Sequence, residues 1–224
     1  MSANLIALLW DSTLQTLYMV AMSSLFGTLI GGPLGVFLAT SRRGELFSAP
    51  ALNAALGLVA NAARSTPFII LVVAIIPFTR WIAGTSIGTT AAIVPLTIAA
   101  APFIARLVEA SIREVDGGLI EAARAMGATP GQIVRKVLVP EAMPGIVLGL
   151  TLAVVSLIGY SAMVGAVGGK GLGDLGIRYG YQRFMPEVMA AVVIILIVLV
   201  QIVQSLGEWI AARFDKRAPR NRGR

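Results

Sequence analysis

Chemistry in this chain would fall to its carboxylates. The 224 residues include no His and no Cys, which removes the imidazole base, the thiol nucleophile, the Cys/His zinc site and any disulfide. The acids close enough in sequence to act together are Glu109, Glu114, Asp116, Glu121 and Glu141. All five share a stretch with Arg106, Arg113, Arg124, Arg135 and Lys136, so ion pairing is the simpler use of each. No nucleophile–base pair and no metal-ligating set emerges. Two phosphate-binding look-alikes occur. Gly171-Leu172-Gly173-Asp174-Leu175-Gly176 fits G-x-G-x-x-G but follows an apolar helix instead of a strand. Gly169-Lys170 fits the end of a P-loop, yet Val164 stands where the first Gly belongs and Gly171 replaces the Ser or Thr. The sequence therefore predicts no catalytic residue, no metal and no nucleotide held by this chain. The outer glycines read as an irregular loop.

The elements around these residues are membrane helices. The composition is 57% hydrophobic and 13% charged, with a mean hydropathy of +0.84, too few charges to solvate the surface of a soluble protein. Five apolar stretches run at about 13–40, 51–79, 87–112, 144–167 and 185–212, each near the ~20 residues a crossing needs. Backbone groups in lipid must bond within their own segment, so the stretches are helices. The predicted fold is all-α and integral to the membrane, one domain over 1–224 with five transmembrane helices. No basic segment precedes the first stretch, which reads as a retained anchor and not a cleaved signal peptide.

Interruptions within the stretches mark candidate sites. Gly31 and Gly35 form a small-xxx-small pair that permits close helix contact. In the second stretch, Asn53, Asn61 and Arg64 precede Thr66-Pro67, a local breaker that predicts a kinked span or a lower half at the interface. Arg64 reads as a charge at the inner boundary, its long side chain reaching water or a carbonyl; a place along a transport pathway is the alternative. Arg106 and Glu109 stand three apart on one helix and can pair. Gly159-Tyr160-Ser161-Ala162-Met163 interrupts the fourth stretch. Tyr160, Ser161 and Met163 are candidates for a gate, since Met adapts to irregular gaps.

Charge sets the orientation. With the loops after the first and third helices and the C-terminal tail on one side, fourteen of the 18 Lys and Arg lie there, leaving Arg80, Lys170, Arg178 and Arg183 opposite. The positive-inside rule then puts the N-terminus outside and the C-terminus in the cytoplasm. The basic tail, 213–224, reads as an anchor beside anionic membrane lipid, and no nucleic acid is expected.

The long cytoplasmic loop, about 113–143, carries the most local structure. Leu119–Met126 reads as a short helix ended by Gly127 in a left-handed conformation. Thr129 caps a second helix with Pro130 at its first position and Gln132 completing a capping box. Pro140 and Pro144 are expected to stop that helix before the fourth span. Ala122, Ala123, Ala125 and Gly127 keep the tip small, so another protein's surface could approach the backbone. From these residues alone, a connector between spans and a docking knob both remain open.

The run Glu121-Ala122-Ala123-x3-Gly127-x9-Val137-x-Val139-Pro140 resembles the cytoplasmic coupling signature of ABC importer permeases, with Val at two positions where that family favours Ile and Leu. Further runs, among them Arg64-Ser65-Thr66-Pro67-Phe68, Ile93-Val94-Pro95-Leu96-Thr97, Ala101-Pro102-Phe103-Ile104-Ala105-Arg106 and Gly159-Tyr160-Ser161-Ala162-Met163, are similar to the methionine-importer branch of that family over nearly the whole length. The resemblance implies a type I importer permease fold in a bacterial cytoplasmic (inner) membrane. It implies a homodimer of this chain, two ABC ATPase subunits that bind ATP and Mg, and an extracytoplasmic methionine-binding protein. The cargo implied is methionine, D and L. Glu121, Ala122, Ala123, Met126, Gly127, Thr129 and Pro130 would couple to the ATPase. A permease for another small amino acid, or an autonomous channel or scaffold, are the alternatives.

Overall fold

The computed structural model describes residues 3–215. The tail from Lys216 onward, read above as a lipid anchor, lies outside the described residues. The described residues form helices and connecting turns, with no strand among them.

Helix α1 covers Ala3–Thr40, starting about ten residues earlier than the sequence suggested. Asp11 does not end it, because Gln15 Nε2 donates to Asp11 Oδ2 at 2.7 Å, one turn on. At 1.5 Å per residue α1 is roughly 57 Å long, well beyond the ~30 Å of hydrocarbon, so it tilts or projects. The second apolar stretch forms three short helices: α2 (Pro50–Ser65), α3 (Phe68–Ala74) and α4 (Ile76–Ala83). Between α2 and α3 the axis turns by 103°. Pro67 enforces the break, since Thr66 is pushed to an extended ψ of 124°. The three still make one crossing. Gly57 of α2 bonds to Arg106 near the arginine-rich end of the bundle, while Ile76 and Thr79 of α4 border a cavity with Ser86, Ile87 and Ala91 at the opposite end. With the bent α2–α3 pair counted as one span, five spans among the described residues are long and apolar enough to cross a membrane.

Helix α5 (Thr89–Arg113) runs through the centre, and Pro95 and Pro102 are carried inside it without a break. It packs against α1, α2 and α4. After it come α6 (Gly117–Ala125) and α7 (Pro130–Ile133), a π-helical turn over Val134–Leu138, and α8 (Val139–Ala166) against α5. The expected stop at Pro140 and Pro144 does not occur: 130–166 is one continuous helical rod. The wider π-turn, in which the Val139 N–H donates to Val134 O, immediately precedes Pro140 and lets the rod pass a residue that has no N–H to donate. Finally α9 (Gly171–Leu175) and a second π-turn (Gly176–Tyr181) lead to α10 (Pro186–Phe214), the least enclosed span.

Met19, Leu38, Leu96, Ile104 and Leu157 fill the core between α1, α5 and α8. The α1–α5 crossing is close because α1 presents glycines. A Cβ at Gly27 would stand 2.8 Å from the Ala100 Cβ, and Cβ atoms at Gly31 and Gly35 would press on the Ala101 and Ala105 carbonyl oxygens. The small-xxx-small pair is thus a packing contact within one chain. Gly31→Leu has rigid backbone in its way and should destabilise by at least the ~1–3 kcal/mol of ordinary overpacking. A lower melting midpoint in detergent, with loss of monodisperse protein on size exclusion, is the expected result; an unchanged midpoint would contradict the tight crossing.

Candidate functional site

The loop between α5 and α8 folds into a compact knob through local bonds. Asp116 caps α6, its Oδ1 accepting from the Gly118 N–H at 2.6 Å. At the other end Gly127 adopts φ +78°, its N–H donates to Arg124 O at 2.9 Å, and the Ala128 N–H donates to Ala123 O at 3.0 Å. These are the paired bonds of a Schellman stop, which needs a left-handed residue at Gly127. Thr129 then caps α7. The Gln132 N–H donates to Thr129 Oγ1 at 3.4 Å and the Thr129 N–H donates to Gln132 Oε1 at 2.9 Å, closing the capping box with Pro130 in the first turn. Ala123 turns inward and joins Ile133 and Leu138 in the core cluster. Glu121, Ala122, Gly127, Thr129 and Pro130 are exposed. Met126 stands out at 82% exposure. The knob therefore presents a small-residue surface with one flexible apolar side chain at its tip, and its helix ends are capped by residues of the knob itself.

Next to the knob lies an ion-pair hub. Glu109, only 5% exposed, takes Arg106 at 2.6 Å, Arg113 at 2.7 Å and Arg42 at 3.4 Å. Arg106 Nη2 also donates to Gly57 O at 2.7 Å, and Arg113 Nη2 to Leu38 O at 3.3 Å. Asn53 Nδ2 donates to the same Leu38 carbonyl at 2.8 Å and to Ser41 Oγ at 2.9 Å. One carboxylate thereby fastens the end of α1, the middle of α2 and the end of α5. The Arg106–Glu109 pair was legible from spacing, and Arg113, four residues from Glu109, has a legible spacing too. Arg42 comes from the loop after α1, far away in sequence, and left no local signal.

The gate candidates are scattered around one helix. Helix α8 passes through 159–163 without interruption, so these residues do not break the span as their composition suggested. Ser161 is buried and its Oγ donates to Ile158 O at 2.7 Å. Met163 is partly exposed. Tyr160 stacks on Phe68 of α3, with ring centroids 4.5 Å apart. Arg64, the last basic residue of α2, lies in the same place: its Cζ is 5.7 Å from the Phe103 ring centroid. Arg64, Thr66, Phe68, Phe103 and Tyr160 together line a cavity of about 170 Å³. Phe103 is ten residues, about 15 Å, along α5 from Arg113. The Arg64 guanidinium therefore sits level with the midpoint of α5, past the level at which α2 meets Arg106.

The glycine-rich segment after α8 is irregular over 167–170, where Gly168 and Lys170 take positive φ, and helical from Gly171 onward. The Gly171 N–H donates to Gln15 Oε1 at 3.1 Å and the Leu172 N–H to Thr16 Oγ1 at 2.9 Å. Both amides at its start are thus occupied by α1 side chains, and no open nest for a phosphate remains there. Arg178 and Asp174 pair one turn apart on its outer surface.

A bundle of this kind, with a broken second span and a capped knob ahead of the fourth, defines a class. Residues 31–217 match the family described as binding-protein-dependent transport system inner membrane component, and the chain belongs to that family. Its fold is the type I importer permease fold. It is 56% identical over 210 residues to the probable D-methionine transport system permease protein MetI of Vibrio cholerae, covering 94% of this chain and 93% of that one. To the D-methionine transport system permease protein MetI of Escherichia coli K12 it is 54% identical over 165 residues, or 74% of this chain and 76% of that one. Among solved structures, a chain of the MetNI methionine ABC transporter in inward-facing conformations superposes with a TM-score of 0.94 at 50% identity, over 96% of this chain and all of that one. A chain of an amino acid ABC transporter crystallised with histidines shares the fold, with a TM-score of 0.78 at 21% identity.

Proposed function

We propose that this chain is the permease subunit of an ATP-driven ABC importer that carries methionine across the bacterial inner membrane. The observation that carries this reading is the 50% identity and TM-score of 0.94, over essentially the full length, to a chain of a methionine ABC transporter. Two copies pair about a two-fold axis, since five spans are few for both enclosing a passage and facing lipid. Each knob docks on an ATPase subunit, which supplies the site for ATP and Mg. Met126 and the small residues Ala122 and Gly127 make the closest approach, Glu121, Thr129 and Pro130 border it, and Ala123 supports them from inside. Closure of the ATPases on ATP draws the knobs together and rocks the spans, opening the passage toward an extracytoplasmic binding protein that delivers the amino acid. Tyr160 and Met163 border the gate. Arg42, Arg106 and Arg113 gather at the end of the bundle that bears the knob, which supports a cytoplasmic C-terminus and an N-terminus outside.

The test is uptake of labelled L- and D-methionine by proteoliposomes holding this chain, the ATPase and the binding protein. Accumulation that requires both ATP and binding protein, and that excess unlabelled methionine abolishes, is the expected result. Uptake independent of ATP points to an autonomous channel, and preference for another amino acid overturns the cargo assignment.

A further inference from the structure

The cavity beside the middle of α5 holds a charge with no acidic partner in the bundle. Among the described residues no carboxylate lies within ion-pair distance of Arg64, and its Cζ stands 5.7 Å from the Phe103 ring centroid. Arg64 is exposed, yet level with the midpoint of α5. A guanidinium at that depth cannot rest against lipid tails, so this face of the chain borders water or a second polar surface. The 103° break at Thr66–Pro67 fits the same setting, because irregular backbone at membrane depth is tolerated where it lines a cavity. Around the charge stand three aromatic rings, Phe68, Phe103 and Tyr160, with Thr66 as a further polar group. At about 170 Å³ the cavity slightly exceeds the ~150 Å³ cavity that accommodates a benzene ring.

We infer that this cavity is a transit subsite for the cargo inside the permease, a place where a zwitterionic amino acid with a linear apolar side chain pauses on its way through the passage. The inference rests on the importer reading above. Arg64 takes the α-carboxylate, the only anionic group such a ligand carries, in a charge-assisted pair. The ammonium group lies over an aromatic face, and the side chain, thioether or aliphatic, packs against the edges of the stacked Phe68 and Tyr160 rings. With no acid nearby to receive the amine as a partner, the site favours ligands with a free carboxylate. A single charge pair in a watered passage holds weakly, which suits a station that must release what it binds.

The probe is photo-methionine, the diazirine amino acid, irradiated with the complete transporter in lipid nanodiscs without binding protein. Mass spectrometry of this chain should find adducts on the peptides carrying Phe68 and Phe103. Arg64→Gln should reduce them at least tenfold and Arg64→Lys by less, since it keeps the charge but loses the bidentate fork. Methionine and norleucine should compete, whereas methioninamide, which lacks the carboxylate, should not at the same concentration. Absence of these adducts in the wild type, or equal labelling in Arg64→Gln, overturns the subsite. Should Arg64→Gln fail to assemble, competition in the wild type decides: equal protection by methioninamide and methionine removes Arg64 from the argument. ATP-dependent methionine uptake by the same wild-type transporter, reconstituted in proteoliposomes with its binding protein, separates the two failures, because uptake without the adducts leaves the importer reading intact and its loss sinks that reading first.

Discussion

Gly127→Val should leave a permease that inserts and stays helical but no longer co-purifies with its ATPase, and ATP-driven uptake should fall more than tenfold. The residue sits at φ +78°, where a side chain with a Cβ is strained by roughly 1–2 kcal/mol, and a β-branched one adapts worst. Nothing stands within 4 Å of a Cβ built there, so crowding inside this chain plays no part. What changes is the Schellman stop, which fixes the angle between α6 and α7, and the clearance for whatever docks on the tip. Gly127→Asn separates these from a general loss of folding, since Asn visits the left-handed region at lower cost; it should keep most of the association. Normal co-purification and normal uptake by Gly127→Val would remove the knob from the coupling scheme.

Glu109→Ala should lower the melting midpoint of the detergent-solubilised chain more than any substitution on the knob. Removing the carboxylate leaves Arg106 and Arg113 facing each other at an end of the bundle where both are largely covered, at 20% and 31% exposure. Breaking a buried pair from one side costs about 3–5 kcal/mol. Arg42, 54% exposed and 3.4 Å away, adds little, so the low end of that range applies. For a chain of this size about 3 kcal/mol corresponds to roughly 6–12 °C. Glu109→Gln, which can still accept hydrogen bonds, should fall between wild type and Ala. A midpoint unchanged in both variants would mean that α1, α2 and α5 are held by packing alone.

How far the sequence reaches differs by element. The knob's caps were readable residue by residue, because Gly127, Thr129, Pro130 and Gln132 act on backbone groups within four positions of themselves. The apolar spans were readable because lipid admits helices only. Pro140 misled, since a proline signals a missing bond but not whether the helix can absorb the loss in an adjoining π-turn. Gly159–Met163 misled similarly, as glycine and polar residues within a helix mark close neighbours as readily as a break. The glycines after α8 gave no hint that Gln15 and Thr16, more than 150 residues earlier, would bond their amides. The depth of Arg64 also depended on a long-range fact, the level at which α2 crosses Arg106.

The rod from Pro130 to Ala166 has one further consequence, which concerns angular phase. A π-turn holds one residue more than the α-turn it replaces, and each residue in a helix advances the side-chain direction by about 100°. The segment Val134–Leu138 therefore fixes the azimuth at which Tyr160 and Met163 point relative to the knob's exposed tip. Side chains within it can vary in type without disturbing that bearing, whereas its residue number cannot. The spacing between Gly127 and Pro140 is in this sense a length standard, setting which face of α8 turns when the knob is pushed.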